Sequence, residues 1–190
     1  MLHKNYIPQI KEKSMTKKVA LVIAHEGYQQ VEYNEPKKIL EKAGFTIITV
    51  SNKSGTAKAK DNSTTSVDKT IAEIQVKDYA GIFFIGGPGS LEHLDNQASY
   101  LMLQAARAAH IPIGAICIST RILAKSGVLD GIEATGWNDD NELADIYRDY
   151  RVSYAPVEVM VCNGIITATG PSVAKQFGDE IVTLLTDSSY

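Results

Sequence analysis

The sequence lacks what would mark it for nucleic acid, for a membrane or for a disulfide scaffold. Basic residues do not outnumber acidic ones: 19 Lys and Arg stand against 22 Asp and Glu, for a net charge of −3. With both signs spread along the chain there is no basic face to neutralise phosphates, so nucleic acid is not expected as a partner. No apolar run approaches the length that spans a bilayer, and residues 1–14 hold no continuous apolar segment of the secretory kind. No membrane partner is expected either. Cysteine is scarce: Cys117 and Cys162 are too few for a disulfide framework and sit in no metal-ligand spacing. That points to a reduced, cytoplasmic setting without a bound metal. Histidine is scarce as well, and none follows His110.

What is present suits an ordinary globular protein. The 190 residues are 44% hydrophobic and 22% charged, enough for one domain with a substantial core. Met15 directly precedes a strand-like run, so residues 1–15 read as a loose extension and 16–190 as the single domain. Val19–Ala24, Gly81–Ile85 and Ile111–Ile116 are short apolar runs of the kind buried on both faces of a parallel sheet. Phe45–Val50 reads as a further strand and Ile132–Gly136 as a candidate fifth. Between them, residues 29–43, 97–110, 119–126 and about 138–150 carry helical patterns, and Asn138, Asp139 and Asp140 offer capping oxygens. Residues 51–68 are polar enough for an exposed hairpin that decorates the fold. Asn163-Gly164 predicts a tight turn between two final strands, and Gly170-Pro171-Ser172 opens a last helix with Val173, Phe177, Ile181 and Leu184 or Leu185 on one face. Strands alternating with helices imply an α/β fold, a mostly parallel sheet with helices on both faces.

In such folds ligands gather beyond the carboxyl ends of the strands. The predicted strands deliver His25, Glu26 and on to Glu32, then Gly86-Gly87, then Cys117. Ala115 and Ser119 flank Cys117 at two residues' distance, the small positions that a sharp strand-to-helix elbow requires. A helix N-terminus beside the sulfur favours thiolate. A lone cysteine after an apolar strand is more often a small buried hydrophobe. The elbow pattern, with paired glycine N–H groups one strand away to face an oxyanion, turns the balance toward a reactive residue.

Together, Gly-Ala-Ile-Cys-Ile-Ser at 114–119, Ile-Gly-Gly-Pro-Gly at 85–89, and Glu32 with Pro36 before Ala43-Gly44 resemble the ThiJ/PfpI family, within the wider glutamine-amidotransferase-like group. The closing Ile-Ile-Thr-Ala-Thr-Gly-Pro at 165–171 fits the same pattern, and the resemblance runs from Lys17 onward. It implies a flavodoxin-like three-layer sandwich, commonly a homodimer, acting on a small-molecule substrate without a cofactor. It also implies that Cys117 is the nucleophile, that the N–H groups of Gly87 and Ile118 form an oxyanion site, and that Glu32 sits beside the sulfur. A carboxyl group in a partly dry pocket tends to stay protonated and can then shuttle a proton.

The sequence also departs from the family. Members regarded as peptidases carry histidine directly after the cysteine, where this chain has Ile118. By spacing, Trp137 replaces the histidine that glyoxalase-like relatives place after the next strand. It becomes a candidate pocket wall, although packing is the commoner role for a lone tryptophan. His25 is a candidate auxiliary base and Arg121 a candidate carboxylate holder, while solvated or contact roles are commoner for both. Cys162 reads as structural. The expected function is cysteine chemistry on small carbonyl or other electrophilic compounds, of glyoxalase, deglycase or hydratase type. The alternatives are an intracellular peptidase or amidase, a redox sensor or stress-protective protein using the same cysteine, and a scaffold that has lost activity.

Overall fold

Five consecutive fully buried residues, Val19 to Ile23, set the centre of the molecule, because each neighbour along the strand faces a different apolar layer. The computed structural model describes residues 17–187; the predicted N-terminal extension lies outside them. In chain order the elements are β1 (Lys18–Ile23), β2 (Glu26–Tyr28), α1 (Gln30–Lys42), β3 (Thr46–Ser51), β4 (Gly55–Ala59), β5 (Thr64–Val67), β6 (Lys69–Thr70), β7 (Gly81–Phe84), α2 (Ser90–Leu94), α3 (Gln97–Ala108), β8 (Ile113–Ile116), α4 (Thr120–Lys125), β9 (Glu133–Ala134), α5 (Leu143–Asp149), β10 (Ser153–Tyr154), β11 (Val159–Cys162), β12 (Ile165–Ala168) and α6 (Ala174–Thr186).

Seven strands form the central sheet in the order β11-β12-β8-β7-β1-β3-β6. All neighbours run parallel except β11 and β12, which the Asn163-Gly164 turn joins as an antiparallel hairpin at the sheet edge. Alternate residues of β1 feed the two cores. Val19, Leu21 and Ile23 face Tyr33 and Leu40 of α1 and Phe177 and Ile181 of α6. Ala20 and Val22 face Met102 and Leu103 of α3, Ile122 and Leu123 of α4 and Tyr147 of α5. The mostly parallel sheet covered by helices on both faces is the predicted fold class.

Some expectations are corrected. Residues 51–68 do contain the antiparallel hairpin, but it is not decoration: β4 also pairs in parallel with β2, and Ala57 and Ala59 are buried in the core beneath α1. Small alternating residues hide that burial from a reading based on polarity. The candidate fifth strand is the two-residue β9, which leaves the main sheet and pairs with β10. The helix expected from about 138 starts at Leu143, with Asn138 Oδ1 accepting from the Leu143 N–H at 2.9 Å. No helix among the described residues is long and apolar enough to cross a membrane.

Phe177 is fully buried and meets Phe83 edge-on, with ring centroids 6.3 Å apart. Phe177→Ala removes the anchor of α6 on the sheet and is expected to cost about 3 to 5 kcal/mol in urea denaturation.

Candidate functional site

The carboxyl end of β8 carries the chain into a sharp turn. Cys117 has φ +64°, a left-handed backbone that costs a non-glycine residue about 1 kcal/mol or more unless its surroundings hold it. Here they do. The Cys117 carbonyl accepts from Thr120 Oγ1 at 3.0 Å and from the Trp137 N–H at 3.4 Å, while Ser119 Oγ donates to the Ile85 carbonyl at 2.8 Å. Residues 117–119 form a single 3-10 turn that runs into α4. The predicted elbow is therefore present, with Ala115 packed beneath it and Ser119 tying it to the end of β7.

Gly86 occupies the space between elbow and α1. A Cβ there would stand 2.5 Å from Cys117 Cβ and 2.6 Å from Glu32 Oε2, so no other residue fits without separating the two. Its N–H donates to Glu32 Oε2 at 2.9 Å and its carbonyl accepts from the Gln29 N–H at 2.8 Å. Gly87, with φ +128°, lies against the chain from Gly27 to Gln29. The backbone N–H groups of Gly87 and Ile118 act on the Cys117 thiol and favour its ionised form.

Glu32 is fully buried on the first turn of α1. Its second oxygen, Oε1, has no hydrogen-bond partner among the described residues, and the carboxyl group interacts with the Cys117 thiol. Burial pushes Glu32 up to about 7, against the pull of the thiol, the Gly86 N–H and the Lys60 ammonium. Burial and then the Glu32 charge push Cys117 up to about 12, against the amides of Ile118 and Gly87. This corrects the expectation of a thiolate favoured by a helix end. The following helix has only six residues, too short to offset the removal of water.

Arg121, the candidate carboxylate holder, is not solvated and already has a carboxylate partner within the chain. It is buried, its Nη2 donates to both oxygens of Asp140 at 2.7 Å, and its guanidinium lies 5.4 Å from the centre of the Trp137 ring. Asp140, anticipated as a helix cap, is the counter-ion of this pair and is held below the usual carboxylate range even though its own desolvation opposes the shift. The Trp137 backbone N–H reaches the Cys117 carbonyl, and its indole Nε1 donates to Asp139 at 3.0 Å. His25 Nδ1 lies 3.5 Å from Glu26 Oε1 and its backbone N–H donates to Asn52 at 2.9 Å; no hydrogen bond or ion pair joins it to Cys117 among the described residues. Cys162 is a free, half-buried residue packed beside the core under α3. Two features escape a sequence reading: the Arg121–Asp140 pair, 19 residues apart with no periodic signal, and Lys60, which is one lysine among several in a polar stretch.

An elbow cysteine beside a glycine loop and a buried glutamate, at the carboxyl edge of a parallel sheet, defines a class of α/β proteins. The chain belongs to the DJ-1/PfpI family, whose family model matches residues 17–184. It is 29% identical over 173 residues to an uncharacterized protein of Methanocaldococcus jannaschii, covering 90% of this chain and 84% of that one. It is 25% identical over 174 residues to YraA of Bacillus subtilis, whose name provisionally assigns it as a cysteine protease, covering 90% and 99%. Among solved structures it resembles a ThiJ/PfpI domain protein from Brachyspira murdochii, with a TM-score of 0.84, 26% identity and 90% and 96% of the two chains covered.

The raised Glu32 value makes stability depend on pH with a defined sign. The folded state holds the proton more tightly than an unfolded chain does, so the contribution is complete below about pH 4.5 and fades as pH rises through about 7. The wild type is expected to lose up to roughly 3 kcal/mol across that interval, and Glu32→Gln to lack this decline, in urea titrations from pH 5 to 8.

Proposed function

We propose that the protein is a cysteine-dependent enzyme acting on small carbonyl or related electrophilic compounds, with Cys117 as nucleophile and Glu32 as proton shuttle. The observation that carries this reading is the close approach of Cys117 and the buried Glu32 carboxyl around Gly86, whose missing side chain leaves room for both and whose N–H holds the carboxyl. With Glu32 near neutrality and Cys117 far above it, the resting pair holds a thiol beside a carboxyl group that exchanges its proton readily.

The chemistry follows from that arrangement. Ionised Glu32 accepts the thiol proton as sulfur forms its bond to the substrate carbonyl carbon. The carbonyl π pair moves to oxygen, where the two amides stabilise the charge. Protonated Glu32 then returns the proton to that oxygen, giving a hemithioacetal when the substrate is an aldehyde. No external base is needed, which suits a site where Ile118 and Trp137 stand in place of histidine.

A peptidase reading is weaker, because amide cleavage requires an acid for a poor leaving group and no histidine contacts Cys117 among the described residues. A redox-sensing reading is weaker because burial holds the sulfur as thiol, the less oxidisable form. The homodimer and the small-molecule substrate implied by the resemblance are part of the same proposal.

Methylglyoxal turnover followed by product formation is expected to fall about 100-fold or more in both Cys117→Ser and Glu32→Gln. Full activity in either variant would refute the assignment of that residue.

A further inference from the structure

The segment that joins β9 to α5, residues 135–142, lies against the turn that carries Cys117. It has no helix or strand of its own, so specific contacts must hold it there. Gly136 fits because it has no Cβ: one would stand 2.1 Å from Thr120 Oγ1, the atom that donates to the Cys117 carbonyl. The Trp137 N–H reaches that same carbonyl. Farther along, both oxygens of Asp140 accept from Arg121 Nη2 at 2.7 Å, and the Arg121 guanidinium lies 5.4 Å from the centre of the Trp137 ring. Among the described residues the ion-pair partners of Arg121, Asp140 and Glu142, both belong to this segment. Arg121 itself is buried in the first turn of α4, directly beyond the elbow.

An ion pair in this place contributes direction more than stability. Taking a guanidinium and a carboxylate out of water costs about as much as their attraction restores, so an apolar side chain of similar volume at position 121 would hold the core as well. It could not fix where Asp140 and Trp137 come to rest, because apolar contact has no preferred angle whereas a guanidinium offers its donors in a rigid plane. We propose that the Arg121–Asp140 pair is a clamp that keeps the 135–142 segment on the elbow and thereby positions Cys117 against Glu32. This deepens the preceding reading and rests on those two residues acting together. The route is through the backbone: the left-handed Cys117 needs donors on its carbonyl, and one of them, the Trp137 N–H, is brought by the clamped segment. Arg121 and Asp140 are positioning residues, acting through that carbonyl and not on the sulfur.

Trp137 is the only tryptophan in the chain, so its fluorescence reports this segment alone. In the full-length protein, Arg121→Met removes the clamp without leaving an unpaired buried ion, and its urea midpoint is expected to match or exceed that of the wild type. Asp140→Asn, at a side chain that is partly exposed, opens the clamp independently. Acrylamide quenching of Trp137 is expected to rise in both variants and to stay near the wild-type value in Asp140→Glu, which keeps the carboxylate. The second readout is the rate at which iodoacetamide alkylates Cys117, followed by the mass of its peptide, with and without Glu32→Gln. Sulfur bonds to the methylene carbon as iodide departs, and the thiol proton passes to Glu32 or to solvent. The factor by which Glu32→Gln changes this rate measures the coupling of carboxyl and sulfur, and it is expected to shrink about twofold or more toward unity when Arg121→Met or Asp140→Asn is also present. Unchanged quenching in both variants overturns the clamp. Raised quenching with the Glu32 factor intact overturns its role in positioning Cys117, and in either case the proposed function stands. A Cys117 that is not alkylated, or whose rate ignores Glu32→Gln in the otherwise wild-type protein, overturns the proposed function and the positioning role with it.

Discussion

The bare α-carbon of Gly86 is the constraint on which the site depends. It lets Cys117 Cβ and the Glu32 carboxyl converge where its side chain would stand, while its N–H fixes the carboxyl and its carbonyl anchors the start of α1 through Gln29. Three segments far apart in the chain are thereby held at one point: the end of β7, the elbow after β8 and the first turn of α1. Ser119 adds a second tie, because its hydroxyl binds the Ile85 carbonyl immediately before the glycine. The left-handed backbone at Cys117 persists because these contacts, with Thr120 and Trp137 on its carbonyl, leave it no alternative.

Burial then sets the proton inventory. Removing water from a carboxyl and a thiol raises both, and each charge disfavours the other. The pair is therefore poised to carry a single negative charge, whose location changes as the sulfur forms a bond. On the proposed reading, the amides of Gly87 and Ile118 serve whichever atom bears that charge, first sulfur and then a substrate oxygen. This makes the low polarity of the pocket part of the proposed chemistry and also a cost to stability above neutral pH.

The fold was legible in the sequence wherever burial on both faces demanded unbroken apolar runs, as in β1, β7 and β8. The hairpin β11–β12 was legible from Asn163-Gly164. Cys117, Gly86 and Gly87 could be picked out because an elbow and a close approach each demand small residues at fixed places. Glu32 was legible only through the family resemblance, since a helix glutamate is ordinarily solvated. The pairing of Arg121 with Asp140 was not legible, because long-range ion pairs leave no periodic trace. The packing of β4 on β2 was missed for a related reason: Ala57 and Ala59 bury little area each, and the lysines between and after them make the strand look wholly exposed.

The missing histidines give the site its chemical character on the reading proposed here. A cysteine aided by imidazole has a base to take its proton and an acid to expel an amine. Glu32 lies on the sulfur's own side, held there by Gly86, and Ile118 offers only its backbone N–H. Such a site favours electrophiles whose addition needs no departing amine, so that a proton taken from sulfur and given to oxygen completes the step. Aldehydes and activated carbonyls meet that condition, and peptides do not.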